Sequence, residues 1–96
     1  MDGNGDTRLP PHDTAAEAGV LGCILLSPGD CLPACVSSFK GSSQVFYDLR
    51  HRLIYDVLVE MQDKQVAIDI ITIQAELKKR RKLEEVGSIP YLASLP

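Results

Sequence analysis

The chain has 96 residues and a mass of 10.5 kDa, enough for one small domain, since domains commonly hold about 100–200 residues. This length excludes a complete nucleotide-driven motor, a TIM barrel and a doubly wound enzyme. With 45% hydrophobic residues and a net charge of −3, the composition is that of a globular domain and excludes a nucleic-acid binder that is basic overall.

The chain begins with a predicted tail and one helix. Residues 1–9 are rich in glycine and aspartate and predict a flexible tail, so residues 10–96 form the expected domain. The helix has two possible starts: Asp13 as the N-cap, or Thr14, which has the spacing of a capping box with Glu17. Its apolar positions at helical spacing are Val20, Leu21, Ile24 and Leu25.

A second, short helix is expected after the segment 27–29, which reads Ser-Pro-Gly and ends the first helix. Asp30 is its predicted N-cap, and Pro33 then falls in the first turn, where proline is best tolerated. Four apolar residues of this helix share one face, because the last three lie three, four and seven positions after the first. These members are Leu32, Cys35, Val36 and Phe39.

The strongest periodic signal predicts a third helix of about four turns that ends near residues 63–65. His51 lies to one side of its apolar stripe. We expect this histidine to pack or to form hydrogen bonds at the edge of the core rather than to act in catalysis. The stripe consists of Phe46, Leu49, Leu53, Ile54, Val57, Leu58 and Met61.

The last third of the chain predicts two more helices. Asp69 is the expected N-cap of the fourth, which would bury Ile70, Ile73 and Leu77 and end at residues 78–82. Pro90 suits the first position of a fifth helix that carries Tyr91, Leu92 and Leu95. Five helices with short connections and no alternating strand pattern predict an all-α fold, a compact small orthogonal bundle.

The sequence contains no motif for a cofactor or a catalytic centre. The nucleotide-binding loop and the Rossmann glycine pattern are both absent. Cys31 and Cys35 lie one helical turn apart, but Cys23, His12 and His51 lack the paired spacing of further zinc ligands. Cys23 and Cys35 are therefore expected to be small apolar core residues. We predict no catalytic, cofactor-binding or metal-binding residue in this chain.

One local charge feature stands out, a basic run of five residues. Its members lie at the end of the predicted fourth helix, with acidic residues on both sides. The run can be a solvated helix end, or a patch for a nucleic-acid backbone or an acidic partner, and both interpretations stay open. The run consists of Lys78, Lys79, Arg80, Arg81 and Lys82.

The expected cellular location rests on three observations on the sequence. The three cysteines are an odd number, which does not suit a self-contained disulfide framework. The acidic N-terminus lacks the apolar segment of a secretory signal, and the apolar runs are too short to span a membrane. We therefore expect a cytoplasmic protein.

Four segments carry a resemblance to a known family. Residues 9–22 contain LPPHD and AEAGVLG, residues 46–55 read FYDLRHRLIY, residues 66–73 read VAIDIITI, and residues 83–92 read LEEVGSIPYL. In order and spacing they resemble the N-terminal domain of DnaB-type replicative DNA helicases. The resemblance covers nearly the whole chain outside the tail. Ser88 departs from it, because the family has a second glycine there.

The resemblance implies a non-catalytic domain that belongs to the collar of a hexameric ring. Such a collar helps to assemble the ring, recruits primase and in some lineages contacts a helicase loader. The motor that uses ATP and Mg²⁺ is a separate RecA-like domain, which we expect, like a helical hairpin, beyond Pro96. The fragment itself is expected to be a weak dimer or a monomer without cofactor. The alternative is a free-standing nucleic-acid-binding module that uses the basic run.

Overall fold

The computed structural model describes residues 13–39 and 43–96. Within these ranges the chain forms five α-helices and no strand, which confirms the predicted all-α fold. The predicted tail at residues 1–9 lies outside the described residues. None of the described helices is long and apolar enough to cross a membrane. The helices are α1 (Thr14–Leu26), α2 (Pro28–Phe39), α3 (Leu49–Asp63), α4 (Ile70–Lys79) and α5 (Ser88–Ser94), with a 3-10 turn at Ser43–Val45.

Aspartate side chains cap the first turns of α1 and α4. Asp13 accepts a hydrogen bond from the Ala16 amide at 3.1 Å. Of the two predicted starts of α1, the structure therefore shows the one with Asp13 as the N-cap. Asp69 accepts from the Thr72 amide while the Thr72 hydroxyl accepts from the Asp69 amide, a complete capping box. The capping box expected of Thr14 does not form, because the carboxylate of Glu17 is bonded to another element.

Helix α2 begins earlier than predicted. The Ser27 carbonyl accepts from the amides of Asp30 and Cys31, so the helix starts at Pro28, directly after α1. The prediction that Asp30 is the N-cap and that Pro33 lies in the first turn is therefore wrong. A proline at the first helical position has the right φ and no amide to leave unpaired, which favours this start. Pro33 is an interior residue of the helix.

The core is mainly aliphatic and lies between the five helices. The predicted stripe of α3 is wrong at Leu49, whose side chain is 71% exposed, and Phe46 is buried but precedes the helix. Because α3 begins only at Leu49, Phe46 lies outside the helix and its burial does not define which face of α3 is buried. The buried hydrophobic residues are Leu21, Ile24, Leu25, Leu32, Phe46, Ile54, Tyr55, Val57, Leu58, Met61, Ile73, Leu77, Val86, Leu92 and Leu95.

Three aromatic rings meet in the core where α2 packs on α3. The ring centroid of Phe39 lies 5.8 Å from the centroids of both Phe46 and Tyr55. The centroids of Phe46 and Tyr55 are 5.2 Å apart. Such distances are favourable for aromatic pairs. The Tyr55 side chain is fully buried, and its hydroxyl has no hydrogen-bond partner among the described residues. Burial also raises the pKa of this phenol.

Replacing Tyr55 by phenylalanine is expected to raise the free energy of unfolding by about 1 kcal/mol, because the variant removes a polar group that folding strips of water. Urea denaturation of both proteins measures the difference. Tyr91→Phe is the matched control, because the Tyr91 hydroxyl is hydrogen-bonded to His51 and its loss should destabilise the domain. Equal losses in both variants would contradict an unpartnered Tyr55 hydroxyl.

Candidate functional site

The start of α3 is organised by Asp48. Its carboxylate accepts from the Arg50 amide at 2.8 Å, which caps the helix, and from the Arg50 guanidinium, with Nη2 and Oδ2 also 2.8 Å apart. The hydrogen bond from the Arg50 side chain is the main reason why the pKa of Asp48 is lowered to about 2. Asp48 is therefore an ionised N-cap of α3 at neutral pH.

Glu17 of α1 bonds to the same segment from a different helix. Its carboxylate accepts from the backbone amides of Tyr47 at 2.6 Å and Asp48 at 3.2 Å. Burial acts to raise the pKa of Glu17, but hydrogen bonds from His51 and from these two amides lower it overall. A side chain of α1 thus satisfies amides that precede the first turn of α3.

His51 lies at the centre of this arrangement and is fully buried. Its Nδ1 is 2.8 Å from Oε1 of Glu17, and its Nε2 is hydrogen-bonded to the hydroxyl of Tyr91. An ionised carboxylate only accepts, so we assign the proton to Nδ1 and let Nε2 accept from the phenol. The hydrogen-bonding role predicted for this histidine is present, but inside the core rather than at its edge.

Tyr91 completes the group from α5. Its ring stacks on the imidazole of His51 with centroids 5.9 Å apart, and the Arg50 guanidinium lies 4.2 Å from its centroid. The φ of Gly87 is +99°, and a Cβ there would lie 2.8 Å from Cβ of Tyr91, so glycine lets the ring approach. We call Glu17, His51 and Tyr91 the buried polar cluster. It connects α1, α3 and α5.

Acid is expected to weaken this region, because the pKa values of Glu17 and Asp48 lie below their usual 4.5 and 3.8. The unfolded chain takes up these protons at higher pH, so stability present above about pH 5 is lost as the pH falls towards about 2. Asp48→Asn retains a capping side chain but does not titrate. The variant should be about 1–2 kcal/mol less stable at pH 7, with the difference vanishing near pH 2. Urea denaturation across this range is the measurement, and a constant difference would contradict the assignment.

The cluster is a structural connection rather than an open reaction centre. The His51 imidazole has no exposed surface, so a solute does not reach it in this conformation. Glu17 and Tyr91 were not predicted as its partners, since they are 34 and 40 residues away in sequence. A signal did exist, because a histidine so close to an apolar stripe needs partners for both ring nitrogens.

The predicted basic run lies across the end of α4, so its five cations have different surroundings. Lys78 and Lys79 belong to the last turn and are exposed. Arg81 is exposed at φ +59°, and the Lys82 amide donates to the Leu77 carbonyl at 2.8 Å, which closes the helix end.

Two members of the run are held by carboxylates. The Arg80 guanidinium lies 2.8 Å from Glu76 of α4 and 2.8 Å from Glu60 of α3, and so ties the two helices together. Lys82 lies 3.2 Å from Glu85. Hydrogen bonding to Arg80 also lowers the pKa of Glu76. These pairs reduce the local positive charge, which is left mainly to the other three cations.

The cysteines are placed differently from the prediction. Cys23 is exposed and Cys35 is only half-buried, so neither is a fully buried core residue. Cys23 lies on the outer side of α1, away from its buried neighbours Leu21 and Ile24. Among residues 13–39 and 43–96, no three potential ligands are grouped to hold a metal ion. His12, also considered as a ligand, lies outside the described residues.

Comparison with known proteins identifies the family. The model of the DnaB-like helicase N-terminal domain matches residues 9–96, nearly the whole chain. The chain belongs to this family. The structure is similar to the crystal structure of the N-terminal domain of DnaB helicase from Mycobacterium tuberculosis, with a TM-score of 0.82 and 34% identity. That match covers 91% of this chain and 58% of the other.

Curated relatives are replicative DNA helicases. The DnaB protein of Geobacillus stearothermophilus is 33% identical over 88 residues, which cover 92% of this chain and 19% of that protein. The DnaB protein of Haemophilus influenzae is 38% identical over 89 residues, 91% of this chain and 18% of that protein. The chain therefore spans about a fifth of the length of these DnaB relatives, and it corresponds to their N-terminal domain.

Proposed function

We propose that this DnaB-like domain is a non-catalytic assembly and partner-docking module of a replicative DNA helicase in the cytoplasm. It contributes to the collar of a hexameric ring and contacts primase and, in some lineages, a helicase loader. ATP and Mg²⁺ belong to a separate motor domain of the parent protein, and the present chain holds no cofactor. The match of residues 9–96 to the DnaB-like N-terminal domain is the observation that carries this proposal.

Exposed side chains at the start of α3 form a surface that suits a contact with another protein. Val45, Tyr47 and Leu49 are 51%, 55% and 71% exposed, and we call them the 45–49 patch. The backbone of this segment is held by α1, because the Glu17 carboxylate accepts hydrogen bonds from the amides of Tyr47 and Asp48. Exposed apolar side chains on a rigid support suit protein contacts, and small patches become effective when a ring repeats them.

Self-association of the 96-residue chain is the first test, measured by sedimentation equilibrium over a wide concentration range. We expect a mass that rises with concentration and falls to the monomer on dilution. Leu49→Asp should shift association to concentrations at least about ten-fold higher, since burial of one leucine is worth about 1.5–3 kcal/mol. Leu26→Asp is the matched control, because Leu26 is 69% exposed but lies at the far end of α1.

Two results would contradict the assembly role. One is a chain that stays monomeric at every concentration even when it is extended by the expected helical hairpin, and the other is an equal effect of Leu49→Asp and Leu26→Asp on association. Primase binding is a separate question, measured with the full-length parent and the primase of the same organism. Loss of that binding on deletion of this domain supports docking, and unchanged binding removes primase from its partners.

The alternative of a nucleic-acid-binding module stays a prediction. The structure indicates which cations of the basic run to substitute in its test. Arg80 should be kept, because its pairs with Glu60 and Glu76 connect α3 and α4. Substituting Lys78, Lys79 and Arg81 by alanine instead should abolish any binding of single-stranded DNA without unfolding the domain. Fluorescence anisotropy at low salt measures this, and no binding by the unmodified chain would exclude the alternative.

A further inference from the structure

The outward side of α4 carries apolar side chains and cations together. Ile71 is 68% exposed, and Ala75, Lys78 and Lys79 are exposed four, seven and eight positions later. At 100° per residue this spacing places the four side chains on one side of the helix, opposite the residues that α4 buries in the core. We call these four residues the α4 outer face. It is apolar at its start and basic at its end.

The cations at this end of α4 differ in whether a carboxylate already binds them. Lys78, Lys79 and Arg81 form no ion pair within residues 13–39 and 43–96. Arg80 is instead bonded to Glu60 of α3, on the side of α4 that packs against that helix. Three exposed cations therefore remain for a partner outside the domain, next to an exposed isoleucine.

The chemistry of this surface favours a protein segment over a nucleic acid. Tight binding of a nucleic acid uses many cations for the backbone and often aromatic rings for the bases. Residues 70–82 contain no aromatic side chain, and the whole chain has a net charge of −3, which opposes a long polyanion. A short acidic segment responds mainly to charges within about 8–10 Å, and an apolar side chain in that segment gains by covering Ile71.

We propose that the α4 outer face binds an acidic peptide segment of a partner protein, and that this segment also carries a bulky apolar side chain. Its carboxylates pair with Lys78, Lys79 and Arg81, while its apolar side chain packs on Ile71. The methyl group of Ala75 lets the partner backbone approach the helix between these two contacts. No residue of the 45–49 patch takes part, so the inference does not depend on the proposed assembly role.

The test uses a defined probe, a fluorescein-labelled peptide of glutamates that contains two leucines one helical turn apart. Fluorescence anisotropy with the 96-residue chain at low salt measures its binding. We expect saturable binding that weakens as salt is added, because exposed charge pairs are screened. Alanines in place of the two leucines, or glutamines in place of the glutamates, should each weaken binding at least about ten-fold.

Substitutions on the domain separate the apolar contribution from the ionic one. Ile71→Ala should weaken binding of the peptide about ten-fold and leave the domain folded, since alanine favours a helix more than isoleucine does. Ala75→Glu should weaken binding and Ala75→Lys should strengthen it, although both residues are good helix formers. Val45→Ala is the matched control, because Val45 is 51% exposed but belongs to the 45–49 patch. It should leave binding unchanged.

Single-stranded DNA is the second probe, because a nucleic acid is the other partner that these cations suit. Oligothymidylate that binds as tightly as the peptide, and equally well to Ile71→Ala, would assign the cations to a phosphate backbone and overturn the proposal. Absence of peptide binding at low salt would also overturn it, as would equal effects of Ile71→Ala and Val45→Ala. Urea denaturation of each variant verifies that a loss of binding is not a loss of folding.

Discussion

Alanine in place of Gly22 is expected to lower the free energy of unfolding by about 2–3 kcal/mol. Gly22 is buried in α1, and a Cβ at this position would lie 2.1 Å from the Leu95 carbonyl oxygen and 2.9 Å from its carbonyl carbon. Both atoms belong to the backbone, which does not move aside as a flexible side chain does. The C-terminal end of α5 must therefore shift away from α1.

Gly19→Ala is the matched control for this substitution. Gly19 lies on the same helix one turn earlier, and a Cβ there meets nothing within 4 Å. Alanine favours the helix over glycine, so this variant should be about 0.5–1 kcal/mol more stable than the parent. Urea denaturation measures both changes. If the two variants change stability in the same direction, the close contact between α1 and α5 is not what makes Gly22 necessary.

Substitution of His51 by alanine is expected to cost about 3–5 kcal/mol, the range seen when a large, fully buried ring is truncated to alanine. The variant opens a cavity, leaves the Glu17 carboxylate without its imidazole and leaves the Tyr91 hydroxyl without an acceptor. At about 4–8 °C per kcal/mol for a domain of this size, the melting temperature should fall by at least about 12 °C.

A double-mutant cycle separates the hydrogen bond from the cavity. Glu17→Ala and the double variant with His51→Ala are measured beside the single variant, and a coupling of about 1–3 kcal/mol is expected. His51→Asn places an amide nitrogen near the position of Nδ1, so it should recover part of the loss towards Glu17 but not towards Tyr91. Additive losses, with no recovery in His51→Asn, would show that packing alone explains the role of His51.

Much of the fold follows from local patterns in the sequence. The capping role of Asp69 and the buried positions Ile73 and Leu77 were predicted because caps and helical periodicity depend on residues within two turns. The start of α2 was not, since Asp30 and Pro28 are both acceptable near a helix N-terminus. The structure decides for Pro28, because the carbonyl of Ser27, the C-cap of α1, accepts from the amides of Asp30 and Cys31.

The candidate site was less accessible to sequence reasoning because its contacts are long-range. Glu17 has the spacing of a capping box with Thr14. No neighbouring residue in the sequence indicates that its carboxylate instead accepts from the amides of Tyr47 and Asp48, which precede α3. The basic run was correctly located at the end of a helix. That Arg80 is bound by Glu60, a residue of another helix, depends on how α3 and α4 pack and could not be inferred from the run itself.

The bonds from Tyr47 and Asp48 to Glu17 make two backbone amides dependent on a helix about thirty residues earlier in the chain. Their protons should exchange with deuterium slowly only while α1 is docked. Exchange at these two sites would thus report the detachment of the first helix even when the rest of the domain keeps its protection. A single local opening could then be followed by nuclear magnetic resonance without any label on α1.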